Sequence, residues 1–203
     1  MSKITASYFL NWSKKRQQTV LAACISATSE INAKDDLDCY TFWNIFNVKE
    51  NYEYILSHKE YVIKTYNRFK TVFPNVSEIA IIKHDDSKIS FIEMIGYTDK
   101  YIWNNDSHVF NIALNEHYKS NSHHPQYYCN VDENKCIKQD DMEIESLEES
   151  VIDMIARKWE KNVLMNKKTD SNELANINKL YLDRYTYDDR SRVISMLKLV
   201  ANI

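Results

Sequence analysis

Six histidines lie along the middle of this 203-residue chain. They are His58, His84, His108, His117 and the adjacent pair His123 and His124, and Asp85 follows His84 directly. Imidazole nitrogen and carboxylate oxygen are the ligands a protein offers to zinc, manganese, iron, cobalt or nickel. A histidine series that contains a His-Asp dyad is therefore the best lead in this chain to chemistry, that of a bound divalent transition metal. The dyad falls at the expected end of a helix, where consecutive side chains can converge on one ion. Asp85, Asp86 and Ser87 also fit an N-capping cluster, and that alternative stays open. Lys88, one turn further on, would set a cation near a bound anion; its plain alternative is an exposed lysine.

Helices must carry these groups. In the segment 52–73, Ile55, Val62, Tyr66, Phe69 and Phe73 recur at helical period and His58 falls inside their stripe. In 107–121, Phe110, Ala113 and Leu114 form a second stripe that His117 continues. A polar ring on an apolar face needs a partner, since an unsatisfied buried donor or acceptor costs about 1–3 kcal/mol. A shared ion would supply one; a neighbouring backbone carbonyl is the alternative for each ring taken singly. His108, at a helix start, reads as a capping or surface residue. Capping-box spacing marks helix starts at Asn75/Glu78, Ser90/Glu93 and Asp170/Glu173. The helix from Asn75 is expected to end near His84.

Composition sets the fold class. Gly96 is the single glycine, and Pro74 and Pro125 are the two prolines. Hairpin turns depend on glycine for positive φ, so a chain this poor in glycine reads as all-α. The expected organisation is one domain over 1–203: an N-terminal helical extension (1–47), a histidine-bearing core (48–165) and C-terminal helices (166–203). Tyr8, Phe9, Trp12, Val20 and Leu21 give the first part a face that packs on the core or supports a homo-oligomer. Residues 193–203 are apolar enough to pack inward. A net charge of −3 argues against general nucleic-acid binding, and Lys14, Lys15 and Arg16 read as a solvated helix face. No stretch is suited to a signal peptide or a membrane span. Cys24, Cys39, Cys129 and Cys136 form no CxxC pair. The expectation is a cytoplasmic protein with free thiols, in which Cys129 and Cys136 flank a polar loop and could approach one another.

With these residues in place, the pattern resembles the HD superfamily of metal-dependent phosphohydrolases. His84 to Lys88 (HDDSK) resembles the HDxGK motif of HD-type phosphodiesterases, and Asn121 to Pro125 (NSHHP) resembles their later double-histidine motif. The combination of SHKEYV, HDDSK and HYKSNSHHPQYY is similar to an HD-like group found in bacteria and phages. The likeness covers about residues 50–160. It implies an HD-like helical bundle. A first ion would be held by His58, His84, Asp85 and Asp153, and Asp85 would bridge to a second held by His117, His123 and His124. Lys88 would face a phosphate. The implied activity is hydrolysis of a phosphomonoester or phosphodiester, a small phosphorylated molecule or nucleotide, with no membrane partner.

Two departures accompany the likeness. His117 precedes His123 by only six residues, where HD phosphodiesterases place a whole helix. Asp153 lies off the strongest apolar stripe of its segment, Leu147, Val151, Met154 and Ile155, so its inward position is implied by the resemblance alone. A second apolar side at Ile152, Ala156 and Trp159 lends it slight support, and Asp140 and Asp141 are fallbacks. Glu93 fits a catalytic base but is explained by its capping box. Two other readings remain: a di-iron oxygenase of the same superfamily, and a binding module using Trp103, Tyr118, Tyr127 and Tyr128.

Overall fold

The computed structural model describes residues 4–27, 31–34, 36–105, 107–132 and 135–203, with the side chains of 131, 132 and 135–137 left aside. It is predominantly helical, as the glycine count implies. In chain order the helices are α1 (Ala6–Leu10), α2 (Lys14–Ser26), α3 (Leu37–Tyr40, running into a π turn at Thr41–Ile45), α4 (Val48–Phe69), α5 (Glu78–Lys83), α6 (Phe91–Tyr101) and α7 (His108–Ser120). A hairpin of β1 (Cys129–Asp132) and β2 (Lys135–Gln139) follows, and then α8 (Ile144–Leu164), α9 (Ser171–Ala175), α10 (Lys179–Leu182) and α11 (Tyr187–Ala201). The hairpin pairs Cys129 with Gln139 and is irregular between Asn130 and Val131. None of the described helices is long and apolar enough to cross a membrane.

Caps explain several boundaries. Ser90 accepts from the backbone N–H of Glu93 at the start of α6, and Asp170 accepts from that of Glu173 at the start of α9, both at the expected spacing. Asn75 does not cap α5. Ser77 does, accepting from Ala80 N–H, because Asn75 is held elsewhere: its backbone and side-chain N–H groups both donate to Glu148. The expected end of α5 at His84 stands, and Asp85 then takes a left-handed φ of 57°. Aspartate tolerates that conformation better than most residues with a Cβ, and it ends the helix sharply.

The chain packs as two compact units that interleave in sequence. The first comprises 1–56 and 86–117. Its core gathers Phe9, Trp12, Phe42, Phe46, Phe91, Met94 and Ile95 from α1, the π turn, the residues just after each, and α6. Here Gly96 has a specific role. A Cβ on it would lie 2.4 Å from the Ala113 Cβ and 3.0 Å from the Val109 carbonyl oxygen, so α6 and α7 approach too closely for any side chain. The second unit comprises 57–85 and 118–203. Its core joins Val62, Phe69 and Phe73 with Leu147, Val151, Ile152 and Ile155 of α8 and Val193, Met196, Leu197 and Val200 of α11. The apolar C-terminal stretch thus packs inward, as its composition implies. Cys24 and Cys39 are free and buried. Cys129 is disulfide-bonded, which corrects the expectation that every thiol is free. The expected approach of Cys129 to Cys136 involves a side chain outside the described set.

Candidate metal centre

The centre of the second unit is built on α8. Three successive carboxylates in its first two turns fasten the segment that carries the dyad. Glu145 accepts from Ser77 N–H at 3.2 Å; buried Glu148 accepts from Asn75 and Val76 N–H, each at 2.8 Å. Glu149 then meets His84 itself: Nδ1 lies 2.8 Å from Glu149 Oε1. A serine pair fastens the double-histidine segment to the same helix, with Ser146 Oγ donating to Ser122 Oγ at 2.8 Å. His58 comes from α4, and its Nε2 lies 2.9 Å from Asp153 Oδ1 on the next turn of α8.

Three buried imidazoles share one polarity. Each turns Nδ1 to a glutamate: His58 to Glu160 (3.4 Å), and both His84 (2.8 Å) and His123 (3.2 Å) to Glu149. Each turns Nε2 to an aspartate. Nε2 of His84 lies 3.4 Å from Asp85 Oδ2 and 3.7 Å from Asp153 Oδ1; that of His123 lies 3.4 Å from Asp85 Oδ1. The His84 and His123 ring centroids are 4.4 Å apart. Nε2 of His84 is buried and makes no hydrogen bond among the described residues, although two carboxylates face it. Distances near 3.4 Å are too long for hydrogen bonds, yet they match the separation of two ligands that each sit about 2.0–2.2 Å from a common ion in tetrahedral geometry.

One ligand atom from each of His58, His84 and Asp85 falls within a 4.8 Å span, as do those of His84, His123 and Asp153, and those of Asp85, His123 and His124. Mixed imidazole and carboxylate donors suit manganese, iron, cobalt, nickel or zinc. Glu149, behind His84 and His123, is the kind of outer partner that fixes a metal-binding histidine in one tautomer. For His84 and His123 the hydrogen-bonding distance is the one from Nδ1 to Glu149; a carboxylate only accepts, so Nδ1 carries the proton there and Nε2 is left to bind.

The electrostatics follow from the same contacts. Burial pushes the His84 pKa down, but the charge of Asp85 and the carboxylates of Asp153 and Glu149 raise it to about 9. His123 is lowered by burial and by His84, and the carboxylates of Asp85 and Glu149 raise it above its ordinary value nonetheless. Burial pushes Glu149 up, and bonds from His123 and His84 bring it down to about 2. Asp153 is likewise held well below the ordinary carboxylate range by His58 and His84, against burial. Without an ion, then, His84, with carboxylates on both nitrogens, holds a second proton at neutral pH. An ion would take the place of that proton on Nε2.

Six of the seven expected ligands, His58, His84, Asp85, His123, His124 and Asp153, therefore meet in this unit. His124 is half-buried, with its ring 4.2 Å from that of His123 and edge-on to Tyr118 at 5.2 Å. His117 is described with the first unit, where its Nδ1 lies 2.9 Å from buried Glu93 Oε2 and its ring is edge-on to Tyr97. Glu93 thus does more than its capping role. Lys88 sits in a 3-10 turn (Asp86–Ile89) of that unit, with Nζ 5.7 Å from the Tyr97 ring centroid. Sequence reasoning missed Glu149 and Glu160. Their only signal is spacing: Glu149, Asp153 and Glu160 recur at intervals of four and seven residues, which places them on one face of α8.

Fold and site together define a helical protein with a buried histidine–carboxylate centre. The chain belongs to a family of unknown function (DUF5662), whose model matches residues 47–198. That match takes in every residue of the centre. No curated protein and no solved structure matches the chain.

Proposed function

We propose that this protein is a metal-dependent phosphohydrolase of the HD type, acting on a phosphomonoester or phosphodiester such as a nucleotide. The observation that carries the reading is the common polarity of His58, His84 and His123, with glutamate behind Nδ1 and aspartate before Nε2. Hydrogen bonding alone requires no such alignment of three rings from three segments. Either ring nitrogen can bind a metal, and here the alignment sets Nε2 of all three rings towards the two aspartates that could share an ion with them. The order of the residues in the chain, which resembles the HD pattern, supports the choice of reaction.

When bound, a divalent ion acidifies a coordinated water and polarises a phosphoryl oxygen. The chain contributes the holding groups: His58, His84, His123 and Asp153, with Asp85 offering one oxygen towards His84 and the other towards His123. Glu149 keeps the His84 and His123 rings aligned.

The test begins with protein purified without chelator and analysed for bound metal, followed by a panel of mono- and diesters with manganese, iron, cobalt, nickel or zinc added. Stoichiometric metal in wild type, its loss in His84→Ala, and metal-dependent phosphate release are expected. Absence of metal binding in wild type overturns the reading. Metal binding with no turnover on the panel overturns the hydrolase assignment and favours a binding module.

A further inference from the structure

The carboxylate of Glu149 serves two histidines through one atom. Its Oε1 lies 2.8 Å from His84 Nδ1 and 3.2 Å from His123 Nδ1, and those rings come from different segments, the end of α5 and the loop after α7. His58 does not share it: its Nδ1 faces Glu160 at 3.4 Å and its Nε2 lies 2.9 Å from Asp153. Glu160 has a second partner as well, with Arg157 Nη1 3.6 Å away. The three histidines are thus not supported in equivalent ways. We propose that Glu149 is the shared positioning residue of the centre, fixing His84 and His123 jointly with Nε2 turned to Asp85 and Asp153. The inference deepens the metal-centre reading and rests on it for its consequence, although the positioning itself is a property of the protein without metal.

The physical case is one of acceptor geometry. A carboxylate oxygen has two lone-pair directions, enough for two N–H donors. Once both are taken by Nδ1–H groups, each ring is constrained in tautomer and in rotation. The oxygen lies on a helix whose neighbouring turns are themselves tied down, through Glu148 to Asn75 and Val76 and through Ser146 to Ser122. Those ties bring the two histidine segments to the same stretch of α8. Removing Glu149 should therefore release two ligands together, whereas Glu160 faces a single ring, His58, at 3.4 Å. Outer partners of single metal-bound histidines are worth about 10–100-fold in metal affinity. The Glu149 substitution is expected to exceed the Glu160 substitution by about tenfold.

The experiment uses the full chain labelled with 15N-histidine, as wild type, Glu149→Ala, Glu149→Gln and Glu160→Ala. In metal-free protein, the Nδ1–H signals of His84 and His123 should both be protected from solvent exchange. Both should be lost in Glu149→Ala while the His58 ring signals persist, and both should be kept in Glu160→Ala. Titration with zinc alone should then show weakening in the order Glu160→Ala, then Glu149→Ala. A general structural defect would move all three histidines at once. Should Glu149→Ala fold poorly by circular dichroism, the isosteric Glu149→Gln carries the test, and both signals are expected to shift in it. Loss of one signal only, or zinc affinity within twofold of wild type in Glu149→Gln, overturns the inference. Paired loss of the two signals without zinc binding in any variant upholds the positioning and defeats the metal reading instead.

Discussion

At the scale of single residues, the centre trades protons for cations. In metal-free protein, His84 has carboxylates facing both ring nitrogens and a pKa raised to about 9, so it is protonated at neutral pH. An ion must displace that proton, which makes apparent affinity rise by about tenfold per pH unit for each proton released, levelling off above pH 9. Calorimetric titration of zinc in buffers of different ionisation enthalpy checks this, and uptake independent of pH between 6 and 9 would contradict it. The stability of the metal-free form runs the other way. His84, raised from 6.5, contributes fully below that value and loses its contribution as pH rises towards 9. Glu149, lowered from 4.5, contributes fully above that value and loses its contribution as pH falls towards 2. Thermal melts in chelator should therefore peak between about pH 4.5 and 6.5, and a peak above pH 8 would contradict the assignment. Most of these ligands were legible by type, because histidine is rare in the chain and each occurrence is conspicuous. Asp153 was not, and the reason is physical: α8 buries residues on every side over its first half, including Ser146, Glu148, Glu149 and Ser150 beside Leu147, Val151 and Ile152. A helix buried all round has no single stripe to read. Glu149 was hidden for a related reason, since an acidic run near a helix start looks like an ordinary solvated first turn.

At the scale of elements, local capping chemistry and global packing decided different boundaries. Ser90 and Asp170 cap where spacing places them, each accepting from the backbone N–H three residues on. Asn75 fails because Glu148, seventy-three residues away, takes both of its N–H groups, a partner invisible to any local window. Gly96 belongs with these distant effects. Nothing around it in sequence calls for a flexible residue, and its helical neighbours would favour alanine. The contact with α7 overrules that preference. Gly96→Ala should cost about 1–3 kcal/mol through overpacking against Ala113, read as a lower midpoint in urea with unchanged slope. Ala113→Gly in the same chain should recover part of the loss by removing the opposing methyl. Equal stability of Gly96→Ala and wild type would mean that the two helices separate at little cost.

For the whole molecule, the division into two units is what the sequence concealed. Residues 1–47 looked like an extension because the histidines begin later, yet they share a core with α6 through Phe42 and Phe91, whose rings stack 5.1 Å apart, across forty-nine residues of chain. With a single glycine and two prolines there is no compositional break at 56, 85 or 117, where the chain passes between units. Separate cores have a thermodynamic consequence. A ligand stabilises only what must be folded to bind it, by RT ln(1 + [L]/Kd), or about 2.7 kcal/mol at a hundredfold excess over Kd. The ligands His58, His84, Asp85, His123 and Asp153 all belong to the second unit. Zinc should therefore slow amide exchange in 57–85 and in α8 by up to about a hundredfold where exchange proceeds through unfolding of that unit. Exchange in α2 and the π turn at 41–45 should change little. Mass-spectrometric exchange with zinc and with chelator separates the cases. Equal slowing in both units would show that they unfold as one cooperative body, and slowing confined to α2 would place the ion away from the histidines altogether.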